Sequence, residues 1–283
     1  MQQHTLAQEL VIKGIGLHSG CESVLTLKPA PQNHGIVFKR TDLPGQPEIK
    51  ALYANVVDTR NCTCLGDKQG NVVSTIEHLM AALSVLGVDN ALIEINGPEM
   101  PIMDGSAAPF VAALEQAGLK EQQAPRKVLK VLKTVHFADD KGNTIELSPA
   151  DEFNIDFVID FPSKVVGRQE FCEPVTLRDF KDHVAQCRTF CEKYQVDYLK
   201  SVGLIKGGSL DNAVVLDGET ILNEGGFRVD NECVNHKVID AIGDMYTSGF
   251  RILGKLKAAK TGHFHNNEIL KRLFADTANY EIV

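Results

Sequence analysis

The sequence predicts an α+β fold built from two similar α/β halves. Short apolar stretches broken by Gly, Pro and Asn fill the first ~70 residues, which is typical of antiparallel strands and hairpins. A helix followed by a strand is then indicated near His78, and the same pattern returns near His236. Between the two lies a polar segment without periodicity, residues 120–127. We interpret this segment as a linker, which divides the chain into residues 1–121 and 127–283.

In the first half, strands precede an amphipathic helix, and a further strand and a second helix follow it. Residues 24–27 and 35–38 are apolar runs bounded by turn residues, and they predict strands. From Ser74 the apolar residues recur at helical spacing, and Gly87 is expected to end that helix. A strand over residues 91–95 follows, and then a second helix over residues 106–116 that ends near Gly118.

The second half repeats this order. Strands are predicted over residues 127–135, 144–147 and 153–161, and a helix is predicted from about Leu177. A last helix-strand unit covers residues 235–259, with its helix ending near Gly249. His78 and His236 therefore each lie in the first turns of a helix that leads into a strand. Two halves arranged in this way would place a metal between them.

Composition restricts the classes of function. The chain has 283 residues, of which 43% are hydrophobic and 23% charged, as in a globular protein of ordinary size. Its net charge of −8 gives no general attraction for nucleic acid. No apolar run reaches the ~18 residues of a membrane span, and no signal peptide is evident, so we expect a cytoplasmic protein. The seven cysteines are expected to be free thiols.

Three residues form a candidate metal site. His236 and Asp240 are four residues apart, which places them on one face of a helix. Together with His78 they supply two imidazoles and a carboxylate, the three protein ligands of many catalytic zinc sites. Each fragment has an ordinary alternative: His78 alone is more often a buried or surface histidine, and His236 with Asp240 could be a solvated ion pair. Only their combination is informative.

Glu77 has two interpretations. The string Ser74-Thr75-Ile76-Glu77 fits a capping box, in which the Glu77 carboxylate accepts from the backbone N–H of Ser74. Alternatively, Glu77 is the general base beside the ligand His78. The chain contains no HExxH string, which excludes the common metalloprotease arrangement. The fragment alone favours capping, whereas the surrounding polar residues favour the base.

Further polar residues would complete a hydrolytic site. Asp244 lies one turn beyond Asp240, and a hydrogen bond from His263 to Asp244 would keep His263 protonated as a general acid. Thr189 offers a hydroxyl for a developing oxyanion, and Lys237 could pair with a substrate phosphate. Cys62 and Cys64 could suggest metal binding, but without a second pair a structural or pocket-lining role is favoured.

Six motifs in this order resemble the UDP-3-O-acyl-N-acetylglucosamine deacetylase family, which acts in lipid A biosynthesis. They extend over most of the chain: STIEHL (74–79), MPIMDGS (100–106), RTF (188–190), GGSLDN (207–212), HKVIDAIGD (236–244) and GH (262–263). The resemblance implies two two-layer α/β halves packed with their helices inward. It also implies an insert in the second half that forms an apolar passage for the acyl chain of the substrate.

The resemblance assigns roles by position. His78, His236 and Asp240 match the zinc ligands, although Fe²⁺ can occupy similar sets. Glu77 matches the base that activates the attacking water, and His263 matches the acid, with Asp244 as its partner. Thr189 matches the oxyanion donor. The expected contacts to the acylated UDP-sugar are Lys237, Phe190, Leu17, Cys62, Val196 and Leu210.

One departure and two alternatives remain. Glu192 stands where a more apolar start to the insert is expected, so the preferred acyl length stays open. The protein could instead be a zinc amidase of the same fold with another substrate, or a nucleotide-sugar-binding protein without catalysis. We expect a monomer without a nucleic-acid partner.

Overall fold

The N-terminal part of the chain, residues 1–125, contains ten strands and two helices. The computed structural model describes residues 1–283. The elements are β1 (Gln2–Leu6), β2 (Leu10–Ile15), β3 (Glu22–Pro29), β4 (Ile36–Arg40), β5 (Glu48–Lys50), β6 (Val56–Asp58), β7 (Cys64–Gly66), β8 (Val72–Val73), α1 (Glu77–Leu86), β9 (Ala91–Ile95), α2 (Ala108–Ala117) and β10 (Leu119–Pro125).

The C-terminal part contains ten further strands and four helices. They are β11 (Val128–Val131), β12 (Val135–Ala138), β13 (Thr144–Ser148), β14 (Phe153–Asp160), β15 (Arg168–Pro174), α3 (Leu177–Asp179), β16 (Phe190–Glu192), α4 (Lys193–Ser201), β17 (Val214–Asp217), β18 (Thr220–Ile221), α5 (Glu232–Tyr246), β19 (Arg251–Ala259), α6 (His263–Phe274) and β20 (Tyr280–Ile282). A π-helical turn, Phe180–Val184, continues α3. The predicted α+β class is confirmed.

The two parts have the same arrangement around a central strand. β9, which follows α1, lies between the antiparallel strand β3 and the parallel strand β4. β19, which follows α5, likewise pairs antiparallel with β13 and parallel with β14. The correspondence expected between the two helix-strand units is therefore present in the hydrogen-bonding pattern as well as in the order of elements.

The helices α1 and α5 pack against each other where the two parts meet. α1 can lie there because it is apolar on nearly all sides, with Leu79, Met80 and Leu83 fully buried. It ends at Gly87, whose φ of 81° is the left-handed conformation that glycine adopts at helix ends. One cluster of 54 buried hydrophobic residues includes side chains from both parts. None of the helices has the length and apolar character needed to cross a membrane.

Three details of the sequence-based description are wrong. Residues 120–127 are not an unstructured linker, because most of them form β10, which pairs antiparallel with β1. Whether the chain divides into domains at this point stays a prediction. The unit ending at Ala259 is not the last one, since α6 begins at His263. The helix α4, in the segment between Phe190 and Ile221, was also not predicted.

Candidate active site

The three expected metal ligands lie together at the α1–α5 contact. His78 comes from the first turn of α1, and His236 and Asp240 come from consecutive turns of α5. All three are buried, and one potential ligand atom from each lies within 4.8 Å of the others. Asp240 Oδ1 is 3.4 Å from His236 Nε2 and 3.7 Å from His78 Nε2. The structure thus brings together residues from both parts of the chain as the sequence predicted.

The protonation states of this set suit a divalent metal. Burial lowers the pKa of His236 to about 4, so the imidazole is neutral and has a lone pair to give. His236 Nδ1 is 3.0 Å from the Cys187 carbonyl oxygen, to which it donates, and Nε2 therefore faces Asp240. Although burial opposes ionisation, the charge of Lys237 holds the pKa of Asp240 well below its usual value. Two imidazoles and a carboxylate fit zinc, and they also fit Fe²⁺.

Glu77 points into the site and does not cap its helix, so the capping-box alternative is wrong. The Ser74 hydroxyl donates to the Pro98 carbonyl oxygen at 3.1 Å. Glu77 Oε2 instead accepts from the backbone N–H of Thr63 at 3.0 Å. Burial raises the pKa of Glu77 above the ordinary glutamate value. A higher pKa makes the carboxylate a better proton acceptor, which suits a general base.

His263 and Asp244 form the predicted pair. His263 Nδ1 lies 2.8 Å from Asp244 Oδ2. Burial favours the neutral imidazole, but the carboxylates of Asp244 and Asp240 outweigh this effect and raise the pKa of His263 to about 9. The other ring nitrogen, Nε2, is 4.0 Å from Glu77 Oε1. A protonated imidazole and a carboxylate thus face each other beside the metal ligands.

Asp244 is held by two further donors. Thr63 Oγ1 lies 2.5 Å from Asp244 Oδ1, and Asn266 Nδ2 donates to Asp244 Oδ2 at 2.8 Å. Thr63 was not predicted as a site residue from the sequence, in which only its neighbours Cys62 and Cys64 were considered. Asn266 was missed because it lies in α6, a helix that was not predicted.

Thr189 is fixed through its backbone. Its N–H donates to the Gly105 carbonyl oxygen at 2.8 Å. The preceding residue, Arg188, forms a buried ion pair with Glu232, with Nε and Nη2 lying 2.9 and 3.2 Å from the two carboxylate oxygens. Glu232 begins α5, the helix that carries His236. The ion pair therefore connects the Thr189 segment to the helix that carries His236 and Asp240, and Glu232 is a third residue that the sequence did not reveal.

Two adjoining cavities open at this centre. The first, of about 470 Å³, is lined by Glu77, the three ligands, Thr189, Lys237 and His263. The second, of about 660 Å³, shares Leu17 and Phe190 with the first and is lined mainly by apolar side chains. Val196, Ile205 and Leu210 lie on its wall.

Two expected contacts, Lys237 and Cys62, and the unexpected acid Glu192 need qualification. The Lys237 ammonium donates to Asp240 Oδ2 at 2.6 Å, so one of its three N–H groups is engaged in this structure. Cys62 is buried and is not among the residues that line either cavity, so its contact with substrate stays a prediction. Glu192, the unexpected acid in the insert, is the N-cap residue of α4, and its backbone N–H donates to Gln195 Oε1 at 2.9 Å. Glu192 also lines the first cavity.

Comparison with known proteins gives one consistent family. Residues 3–275 match the model of the family described as UDP-3-O-acyl N-acetylglycosamine deacetylase. The UDP-3-O-acyl-N-acetylglucosamine deacetylase of Myxococcus xanthus (strain DK1622) is 46% identical over 281 residues, which cover 99% of this chain and 89% of the relative. The proteins of that name from Pasteurella multocida (strain Pm70) and Haemophilus influenzae (strain PittEE) are each 43% identical over 285 residues, covering 100% of this chain and 93% of theirs.

The resemblance inferred from the six motifs is thereby confirmed. Every residue of the site described above lies within the matched range, and the relatives align along nearly their whole length. This chain belongs to the UDP-3-O-acyl-N-acetylglucosamine deacetylase family.

Proposed function

We propose that this protein is a zinc-dependent deacetylase, which hydrolyses the acetamide of UDP-3-O-acyl-N-acetylglucosamine to a free 2-amine and acetate, the committed step of lipid A biosynthesis. One observation carries the proposal. Glu77 Oε1 and His263 Nε2 lie 4.0 Å apart beside the convergent His78, His236 and Asp240, so a proton acceptor and a proton donor flank one metal position. Amide hydrolysis needs both groups, because water must lose a proton and the leaving amine must gain one.

Different residues of the chain would remove the proton from water, stabilise the oxyanion and protonate the leaving nitrogen. When bound, the metal supplies polarisation of the amide carbonyl and lowers the pKa of the attacking water. Glu77, oriented by the Thr63 N–H, takes the proton of that water. The Thr189 hydroxyl donates to the oxygen that becomes negative in the tetrahedral intermediate. His263, protonated through its bond to Asp244, delivers a proton to the nitrogen as the C–N bond breaks.

The adjoining cavities suit an acylated nucleotide sugar. The apolar cavity of about 660 Å³ begins at Phe190, next to the reacting centre, and we assign it to the acyl chain. Leu17, Val196 and Leu210 would contact that chain. Lys237 would contact a substrate phosphate through an ammonium N–H that does not donate to Asp240 Oδ2. That the protein is cytoplasmic and that it is a monomer both stay predictions.

Glu77→Gln tests the assignment, because the amide keeps the shape of the side chain but cannot accept the proton. We expect this variant to bind zinc as the wild type does and to release acetate from the UDP-3-O-acyl substrate at least about a hundredfold more slowly. Glu48→Gln, an exposed position on β5, is the matched control. Mass spectrometry of the substrate and metal analysis of the protein give the two readouts. Near-wild-type turnover of the Glu77 variant would show that another group is the base.

Metal dependence has its own test. Exhaustive chelation should abolish acetate release, and addition of Zn²⁺ should restore it. Addition of Fe²⁺ under anaerobic conditions shows whether this metal also supports turnover. Full activity of the metal-free protein would exclude a metal-dependent mechanism. A wild type that binds the nucleotide sugar but never releases acetate would instead indicate a non-catalytic binding protein.

A further inference from the structure

Thr63 connects the two halves of the proton-transfer machinery. Its backbone N–H donates to Glu77 Oε2 at 3.0 Å, and its hydroxyl lies 2.5 Å from Asp244 Oδ1. The same hydroxyl is 3.3 Å from His263 Nδ1. Thr63 therefore contacts the proposed base, the proposed acid and the partner of that acid.

The hydroxyl acts as a donor to Asp244. Asp244 Oδ1 accepts from Thr63, and Oδ2 accepts from His263 and from Asn266. With three donors on its two oxygens, the carboxylate has one fixed orientation. Because Thr63 precedes β7 in the N-terminal part and Asp244 lies in α5, this bond also crosses the contact between the two parts of the chain.

The backbone contact acts on Glu77. The Thr63 N–H occupies Oε2, so Oε1 is the oxygen left facing His263 Nε2. The Thr63 carbonyl oxygen in turn accepts from the N–H of Ile76 at 3.4 Å, at the start of α1. Thr63 itself is only 2% exposed. A buried residue with these contacts cannot shift without changing the position of Glu77 relative to the Asp244–His263 pair.

We propose that Thr63 is a positioning residue, which sets the separation between the base Glu77 and the acid pair Asp244–His263 and thereby sets the rate of the chemical step. This inference rests on the proposed deacetylation. Thr63 itself exchanges no proton with substrate. Displacement of catalytic groups by about an ångström costs on the order of a hundredfold in rate, so a lost positioning bond should appear in kcat.

Thr63→Val removes the hydroxyl, keeps the shape of the side chain and keeps the N–H that binds Glu77. We expect kcat to fall about ten- to a hundredfold, the range for a lost hydrogen bond to a charged group, with KM and zinc content close to those of the wild type. Thr63→Ser keeps the hydroxyl and should restore most of kcat. The matched control is Thr5→Val, which removes another buried hydroxyl, one that donates to the Asn90 carbonyl oxygen at 2.7 Å. The control should leave kcat unchanged.

A double-mutant cycle separates positioning from packing. In an Asp244→Ala background the Thr63 hydroxyl has no carboxylate to hold, so adding Thr63→Val should change kcat less than about threefold. The proton NMR signal of His263 Nδ1–H, assigned by its loss in His263→Ala, should move in Thr63→Val and stay in place in Thr5→Val. Equal losses from Thr63→Val in both backgrounds, an unchanged kcat, or an equally impaired Thr63→Ser would each overturn the proposal. An inactive wild type would instead count against the deacetylase function itself.

Discussion

Gly243 of α5 lies directly against the backbone of Glu77 at the start of α1. A β-carbon at Gly243 would lie 2.0 Å from the Glu77 carbonyl oxygen and 3.0 Å from its α-carbon. No side chain fits this space, since the nearest atoms are backbone atoms that cannot rotate away. The contact lets α5 approach α1 closely enough for His236 and Asp240 to reach His78.

Gly243→Ala should therefore damage the site from a position that touches no substrate. The added methyl group must push α5 away from α1, and overpacking of this kind costs about 1–3 kcal/mol or more. We expect a lower free energy of unfolding in urea, weaker zinc binding and loss of most activity. Gly97→Ala is the control, because a β-carbon there meets nothing within 4 Å. Wild-type zinc affinity in the Gly243 variant would contradict the claim that this contact assembles the metal site.

Asp244→Asn should shift the pH dependence of the reaction. His263 must be protonated to act as an acid, so activity is present below its pKa, about 9, and is lost as the pH rises through that value. The charge of Asp244 is the largest of the effects that raise the pKa of His263, so its removal lowers that pKa. The alkaline limb of kcat/KM should therefore move to lower pH by about one to three units. An alkaline limb that does not move would exclude His263 as the titrating acid.

The proposed metal ligands could be predicted because the information is local. His236 and Asp240 have the residue types and the helical spacing that a metal needs, and neither depends on the rest of the fold for its identity. Thr63 and Glu232 could not be found in this way. Thr63 acts on Asp244 across 181 residues, and Glu232 acts on Arg188 across 44, through hydrogen bonds that only the folded chain creates.

Two of the errors in the fold, those at β10 and α4, have a related cause. β10 has a polar sequence because it belongs to a two-stranded sheet with β1 and buries only Ala124. Its strand conformation comes from backbone pairing and leaves little trace in hydrophobic periodicity. α4 likewise buries none of its residues. Elements that pack weakly against the core lack the periodic signal on which a sequence-based prediction depends.

Glu232→Gln should lower the free energy of unfolding by more than the loss of an exposed ion pair does. The Glu232 carboxylate accepts from Arg188 Nε and Nη2 and from the backbone N–H groups of Arg188 and Arg228. A neutral amide cannot accept from all of them and leaves the buried guanidinium without a counter-charge. We expect a loss of about 3–5 kcal/mol of unfolding free energy, measured by urea denaturation, and a lower kcat as Thr189 loosens.

The control for this loss is Asp217→Asn, which breaks the exposed ion pair between Lys193 and Asp217. Its cost should be about 0–1 kcal/mol. Equal unfolding free energies for the Glu232 and Asp217 variants would mean that the buried pair does not hold the Thr189 segment.

Val196→Phe should shorten the acyl chain that the enzyme prefers. Val196 lines the apolar cavity from α4, and a larger side chain there removes space at a distance from the reacting centre. Each methylene that no longer fits loses about 0.8 kcal/mol of burial, or about fourfold in kcat/KM. Substrates with stepwise longer acyl chains should therefore be affected in proportion to length, with the shortest ones unchanged. Tyr194→Phe, on the same helix but 70% exposed, is the control and should leave the chain-length profile as it is. A uniform loss for all chain lengths in the Val196 variant would place the acyl chain elsewhere.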